Sequence, residues 1–454
     1  MREKWQKQMP LMAHIQDHTQ SQELAMISEI IDSTPTICRH ILQDLNKGKA
    51  VPRRTGAKGM SADQVLRCAV VKTLFSFSYE ALAFHIVDSQ SIRWFCRIGI
   101  VDEGFKKSAL NRNIKCISEQ TWEIINRELL GFAEKEKIEK GRTVRTDCTC
   151  VESNIHSPSD STLLWDGVRV LTRLIKRVQD DFGIKVPGFA NHTRRAKRRM
   201  LAVMNAKGKK QRKAAYADLL KMADNVLGYS DTALTSIRVS TPDPTLFAIY
   251  ESIENYSGLL EKVVDQTRRR VMLGETVPSL EKVVSIFEPH TDIIKKDRRD
   301  TFYGHKICVT GGASNLILDC VIASGNPADT DLAVPMLDRQ ADIYGRYPLK
   351  ACFDGGFASK HNLKEAKSRQ IKDVCFSKKR GLEKTEMCRS EYVYHRLRNF
   401  RAGIESGISW LKRCMGLTRC MWKGLDSFKS YVWSSIVAAN LLTMARHRLN
   451  LVET

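Results

Sequence analysis

Two rhythms of apolar and polar residues share this chain. In the first 130 or so residues apolar side chains recur every three or four positions, the period of a helix packed on one face. Leu24, Ile27, Ile30 and Ile31 fit it, as do Val65, Leu66, Ala69, Val70 and Leu74 after the capping-box pattern Ser61-Ala-Asp-Gln64. Residues 76–78 punctuate that helix, 79–86 and 90–98 give two more, and 118–132 give a longer amphipathic one. The stretch 51–60, VPRRTGAKGM, reads as a basic linker.

The rhythm then changes. Thr143, Val144, Thr146, Thr149 and Val151 crowd β-branched residues into one short strand, TVRTDCTCV. Residues 167–285 return to long helical segments. After 283 strands and helices alternate: strands over 304–312 and 316–323, a helix over 329–344, a buried strand over 349–353, a helix over 360–369, a strand over 374–377, and helices over 403–415 and 427–450. The predicted fold is therefore α/β with large helical additions, in the order β-(helical insertion)-β-β-α-β-α-β-α. That order matches a ribonuclease-H-like mixed sheet. Three regions follow: a helical N-terminal region (1–140) with a helix-turn-helix-like part at 61–98; a catalytic domain in two pieces (141–166 and 286–454); and a helical insertion (167–285).

Charge narrows the function. Seventy-three Lys and Arg face 51 Asp and Glu, a net +22, which calls for a polyanionic partner; nucleic acid fits best, because phosphate contacts release counterions. The insertion carries two dense cationic runs, TRRAKRR at 193–199 and KGKKQRK at 207–213. Arg194, Arg195, Lys197, Arg198, Arg199, Lys209, Lys210, Arg212 and Lys213 are thus candidate DNA contacts, joined by Arg93 and Arg97 near the N-terminal helices. No apolar run approaches the roughly 18 residues a bilayer span needs, and the first residues lack an apolar signal core. A cytoplasmic protein with no membrane partner is expected. Thirteen scattered cysteines without CxxC spacing read as reduced packing thiols.

One residue in the first strand is out of place. Asp is depleted in strands, and a buried carboxylate must be paired or hold a metal. In a ribonuclease-H-like order the first and fourth strands lie side by side, so Asp147 would meet Asp354 at the end of the fourth strand. A late helix would add Glu405. At about 100° per residue, Arg401, Glu405, Ser409 and Lys412 share one stripe of that helix, beside an apolar stripe of Ile404, Ile408, Leu411 and Met415. Three hard oxygen donors suit Mg²⁺ or Mn²⁺, two ions expected, which serve in-line phosphodiester displacement. Asp160 and Asp166 are the rival acids near the first strand, read as a turn residue and an exposed cap.

These stretches resemble the DDE transposases of bacterial insertion sequences. Arg145-Thr-Asp-Cys-Thr149 is similar to the family's first-strand motif, and Pro289-His-Thr-Asp292 with Tyr303-Gly-His-Lys306 to the lead into its second strand. Asp354-Gly-Gly-Phe357 resembles the D-x-G-[FY] motif, and Arg401, Glu405 and Lys412 match the R-E-K part of the C-terminal signature. Where the family places Tyr three residues before that Arg, this chain has Arg398. The resemblance implies Asp147, Asp354 and Glu405 as catalytic metal ligands, Arg401 and Lys412 near DNA, double-stranded DNA ends and target as substrates, and at least a homodimer on DNA. Two other readings stay open: a metal-dependent nuclease of the same fold without strand transfer, and a non-catalytic DNA-binding protein.

Overall fold

The structure is a computed structural model, and it describes residues 18–47, 59–99, 102–240, 242–296, 300–378 and 380–450. Most of the basic linker expected at 51–60 lies outside them. In chain order the described helices begin with α1 (Thr19–Asp32), α2 (Thr36–Asn46), α3 (Ala62–Leu74), α4 (Tyr79–Asp88), α5 (Gln90–Phe95), α6 (Lys107–Lys115) and α7 (Glu119–Lys135). Strand β1 (Thr143–Glu152) leads into α8 (Asp160–Phe182), α9 (Thr193–Asn205), α10 (Lys209–Arg238) and α11 (Pro244–Thr267). The remainder runs β2 (Asp292–Lys296), β3 (Asp300–Gly311), β4 (Ile317–Ile322), α12 (Asp329–Tyr344), β5 (Lys350–Phe353), α13 (Lys360–Ser368), β6 (Asp373–Phe376), α14 (Lys384–Met387), α15 (Glu391–Cys414) and α16 (Leu425–Arg448).

The six strands form one mixed sheet. β3 pairs antiparallel with β1 along one edge; its other edge is shared end to end by β2 and β4. β5 lies parallel to β1, and β6 parallel to β5. The first and fourth strands of the expected order are neighbours, as that order required. β2 is an addition the sequence did not announce. Only Ile293 and Ile294 are apolar in it, and Lys295 and Lys296 close it, which suits a short charged edge strand rather than an alternating one. α15 also starts well before residue 403. Ser390 caps it by accepting from the Val393 N–H at 3.3 Å, and no Gly or Pro interrupts residues 391–402.

Two apolar cores hold the chain. The larger one is continuous from the N-terminal helices into the sheet: Ile27, Val65 and Trp122 belong with Val144, Val309, Phe353 and Trp433. Each such fully buried side chain contributes roughly 1.5–3 kcal/mol. α16 runs through this core against α7 and α1. A buried carboxamide fixes its register: Asn440 donates to the Ile317 carbonyl at 2.7 Å and accepts from the Ile317 N–H at 2.8 Å, and it donates to Asn126 of α7. The second core belongs to α8–α11, with Leu164, Ile175, Leu219, Ile253 and Leu260 at its centre. Gly167 lets α8 and α11 approach, since a Cβ there would lie 2.6 Å from Leu260.

Candidate active site

The ladder between β1 and β5 ends on the rung Thr146–Phe353. The next residue on each strand is an acid, Asp147 on β1 and Asp354 just past β5, so the register itself sets the two carboxylates side by side. α15 packs across β1, β5 and β6. Its seat is cut by two close approaches. Ile404 packs on Gly311 of β3, where a Cβ would lie 2.9 Å from the Ile404 Cδ1. Arg145, two residues before Asp147 on the same strand face, reaches under the helix. It donates to the Phe400 carbonyl at 3.0 Å, stacks its guanidinium 4.6 Å from the Phe400 ring centre, and donates to Asn315. Gly403 leaves the room Arg145 fills. Tyr394, about two turns before Phe400, donates to the Phe376 carbonyl at the end of β6. With the helix seated this way, Arg401 and Glu405 face the strand ends.

Arg401 joins all three acids. Its Nη1 lies 3.7 Å from Asp147 Oδ2 and 3.2 Å from Asp354 Oδ1, and its Nη2 lies 2.6 Å from Glu405 Oε1. Two oxygens both within 3.7 Å of one nitrogen are less than twice that distance apart. Asp354 is held further by the Ser377 hydroxyl at 2.8 Å, and Asp147 by the Cys148 N–H at 2.7 Å. The two aspartates are nevertheless tuned apart. Burial pushes Asp147 up to about 6, and the carboxylates of Asp354 and Glu405 add to that while the Cys148 N–H and Arg401 oppose it. Burial also acts on Asp354, but Ser377, the Gly355 and Gly356 amides and Arg401 outweigh it and leave its carboxyl below the usual range. As the side chains stand, no three His, Cys, Asp or Glu among the described residues are disposed to hold an ion. Here the Arg401 guanidinium lies among the three acids.

Beside Asp354 opens a groove of about 450 Å³ whose lining includes Thr149, Lys295, Lys306, Lys378 and Arg380. Lys378 lays its stem over Gly355. Lys306 pairs with Asp329 at 2.5 Å. Arg145 and Lys306 stood in quoted motifs without an assigned role, and Ser377 and Lys378 were not singled out from the sequence. Only Arg145 carried a signal there, by lying two residues from Asp147 on one strand face.

The other expected residues divide. Asp160 and Asp166 are away from the trio and neither is exposed. Asp160 is buried in the first turn of α8, where Ser159 is the cap, and binds Arg270 at 2.8 Å. Asp166 is buried within α8 and is held by Arg169 one turn on in the same helix and by His156 from the loop before it; the expected exposed cap is thus an internal anchor. Asp319 is buried against Arg339. Arg93 donates to the carbonyls of Gly99 and Asp102, and Arg97 pairs with Asp32 and Asp63, so both serve the N-terminal helices. In the cationic runs, Arg195 and Arg199 pair with Asp218, Arg212 donates to the Ala206 carbonyl, Lys213 donates to the Met272 carbonyl, and Lys197 lies 6.0 Å from the Trp165 ring centre. Arg194, Arg198, Lys209 and Lys210 are exposed at the starts of α9 and α10. All cysteines are free thiols. No single helix among the described residues is long and apolar enough to cross a membrane.

Two family models match the chain. Residues 282–441, which include Asp354, Arg401 and Glu405, match the family model described as a transposase DDE domain. Residues 12–116 match one described as a transposase domain, DUF772. No match was found among curated proteins or among solved structures.

Proposed function

Since the chain belongs to the DDE transposases of insertion sequences, we propose that it cuts DNA at the ends of its element and joins the freed 3′-hydroxyl to target DNA, with Asp147, Asp354 and Glu405 as the catalytic carboxylates. The observation that carries this is the meeting of three sequence-distant acids on Arg401. The strand order, with an antiparallel partner on one side of β1 and parallel β5 and β6 on the other, supports a ribonuclease-H-like catalytic domain.

The donor set fits divalent metal. It is all carboxylate oxygen, the preference of Mg²⁺ and Mn²⁺, and three acids against one guanidinium leave local negative charge in a strongly basic chain. When bound, two such ions lower the cost of charge building on the attacked phosphodiester. The protein's own groups do the rest. Ser377 and the Cys148 N–H fix the two aspartates. Arg145 fixes the helix that brings Glu405. Arg401 holds the acids together and, once displaced from between them, offers its planar donor fork to phosphate oxygens. Lys412, further along the stripe, and the groove of Lys295, Lys306, Lys378 and Arg380 take neighbouring backbone phosphates. A water oxygen attacks phosphorus in line and the bond to the 3′-oxygen breaks; the resulting 3′-hydroxyl then attacks the target strand the same way.

The N-terminal region (1–140) would bind the element ends through residues 61–98, and the insertion (167–285) would add phosphate contacts through Arg194, Arg198, Lys209 and Lys210. Synapsing two ends calls for at least a dimer on DNA in the cytoplasm. The test is strand cleavage of duplex carrying the element ends, in Mg²⁺. The unaltered protein cuts and Asp147→Asn does not, while both retard the duplex equally in a gel; cutting by Asp147→Asn removes Asp147 from the site.

A further inference from the structure

A second pocket, of about 650 Å³, lies where the turn between α3 and α4 and the helix α6 meet the segment joining α15 to α16. It is lined by Lys72, Lys115 and Arg419, and no carboxylate lines it. Arg419 is matched by Glu152 at 3.0 Å. Neither Lys72 nor Lys115 has an acid partner among the described residues; each instead lies over a ring, Lys72 4.8 Å from the Tyr79 centre and Lys115 5.8 Å from the Trp422 centre. Burial and the charge of Lys115 together hold the Lys72 ammonium below its usual pKa, which an anion in the pocket would relieve. Two buried polar atoms on its wall, the Tyr79 hydroxyl and the Asn111 side-chain oxygen, have no hydrogen-bond partner. Trp422 and Tyr431 form an aromatic corner, their ring centres 5.6 Å apart at 69°.

These features describe one ligand chemistry. Two uncompensated ammonium groups call for a phosphate. An aromatic corner calls for a planar ring that packs against it. The volume suits a nucleotide and excludes a duplex, whose width is about 20 Å, far beyond a cavity of a few hundred cubic ångströms. β1 ends beside it, since Glu152 pairs with Arg419, and the polar stripe of α15 leads to it from Glu405 through Lys412. We propose that this pocket binds one unpaired nucleotide of a DNA strand, its phosphate between Lys72 and Lys115 and its base against Trp422 and Tyr431. The inference takes its ligand from the transposase reading, but uses none of the three carboxylates.

The test is photocrosslinking of the full chain to a single-stranded oligonucleotide carrying one 5-iodouracil, with the linked residue mapped by mass spectrometry. The expected adduct is on Trp422, Tyr431 or Tyr79. Lys72→Gln/Lys115→Gln should lower oligonucleotide affinity about tenfold and remove the adduct, as should Trp422→Ala, in line with the ~1–3 kcal/mol that one stacked base supplies. Lys72→Arg/Lys115→Arg should retain the adduct, which separates charge from folding. Adducts confined to other surfaces, or a Lys72→Gln/Lys115→Gln protein that binds and crosslinks like the parent, would overturn the pocket. Either result leaves the carboxylate reading standing, because that reading is scored by strand cleavage.

Discussion

Two arginines in this molecule gather acids, and they do so to opposite ends. Arg67 is fully buried between helices and meets Asp63 at 2.6 Å and Asp32 at 2.8 Å, with the Ser28 hydroxyl and the Phe95 carbonyl as further acceptors. Arg97 binds the same two aspartates from outside. That cluster has two cations for two anions and spends its hydrogen bonds within the fold. Arg401 meets three acids alone, at the edge of a sheet and beside a groove, and one of the three has its carboxyl pushed up to about 6. Charge balance, rather than the number of acids, distinguishes the two clusters.

The contrast breaks most severely at the acids themselves. Asp354→Asn or Glu405→Gln should lower Mg²⁺-dependent strand cleavage by about a thousandfold or more, the scale of losing charge stabilisation of a phosphoryl transfer, with melting temperature hardly lowered. Loss of the fold along with activity would make Arg401 a second Arg67. The reverse experiment is Arg67→Met. It leaves the Phe95 carbonyl and the Ser28 hydroxyl without their donor and Asp32 and Asp63 to Arg97 alone, and should cost about 3 kcal/mol in urea unfolding with no specific loss of metal-dependent cleavage per folded molecule.

A smaller effect has the opposite sign. The Asp147 pKa is raised in the folded state, so protonation favours folding: its contribution is full below about pH 4 and is lost as pH rises through about 6. With divalent ions chelated, Asp147→Asn should therefore be more stable than the parent at pH 7, by roughly 2 kcal/mol, and the difference should vanish below about pH 4. Thermal melts across that range decide it; an unchanged or lowered melting temperature at pH 7 would show that Arg401 already balances the site. The mildest change is Ser377→Ala, which frees one oxygen of Asp354. The Mg²⁺ concentration for half-maximal cleavage should rise about tenfold while the maximal rate holds.

Much of this was legible in the sequence where a local pattern and a chemical oddity coincided. Asp147 showed because an acid interrupts a β-branched run, and Asp354 because a buried strand ends in Asp-Gly-Gly. Glu405 showed through its stripe on α15. The contacts around the three acids were less legible because they are tertiary. Nothing local says that Arg145 will brace Phe400, that Ser377 will bind Asp354, or that Arg93 and Arg97 will bind carbonyls and acids of the N-terminal region. Asp166 misled in part for the same reason: Arg169 is a local partner three residues on, but the contact with His156 depends on how β1 hands over to α8. The early start of α15 was readable and was missed: Val393, Leu397, Phe400 and Ile404 recur at helical spacing.

The central claim is that the space Arg401 occupies is a place for divalent metal. Anomalous diffraction from crystals of the protein grown with DNA ends and Mn²⁺ tests it most directly. Manganese peaks are expected about 2.1 Å from oxygens of Asp147, Asp354 and Glu405, with Arg401 withdrawn from between them. Manganese bound elsewhere, with Arg401 still joined to all three acids, would contradict it.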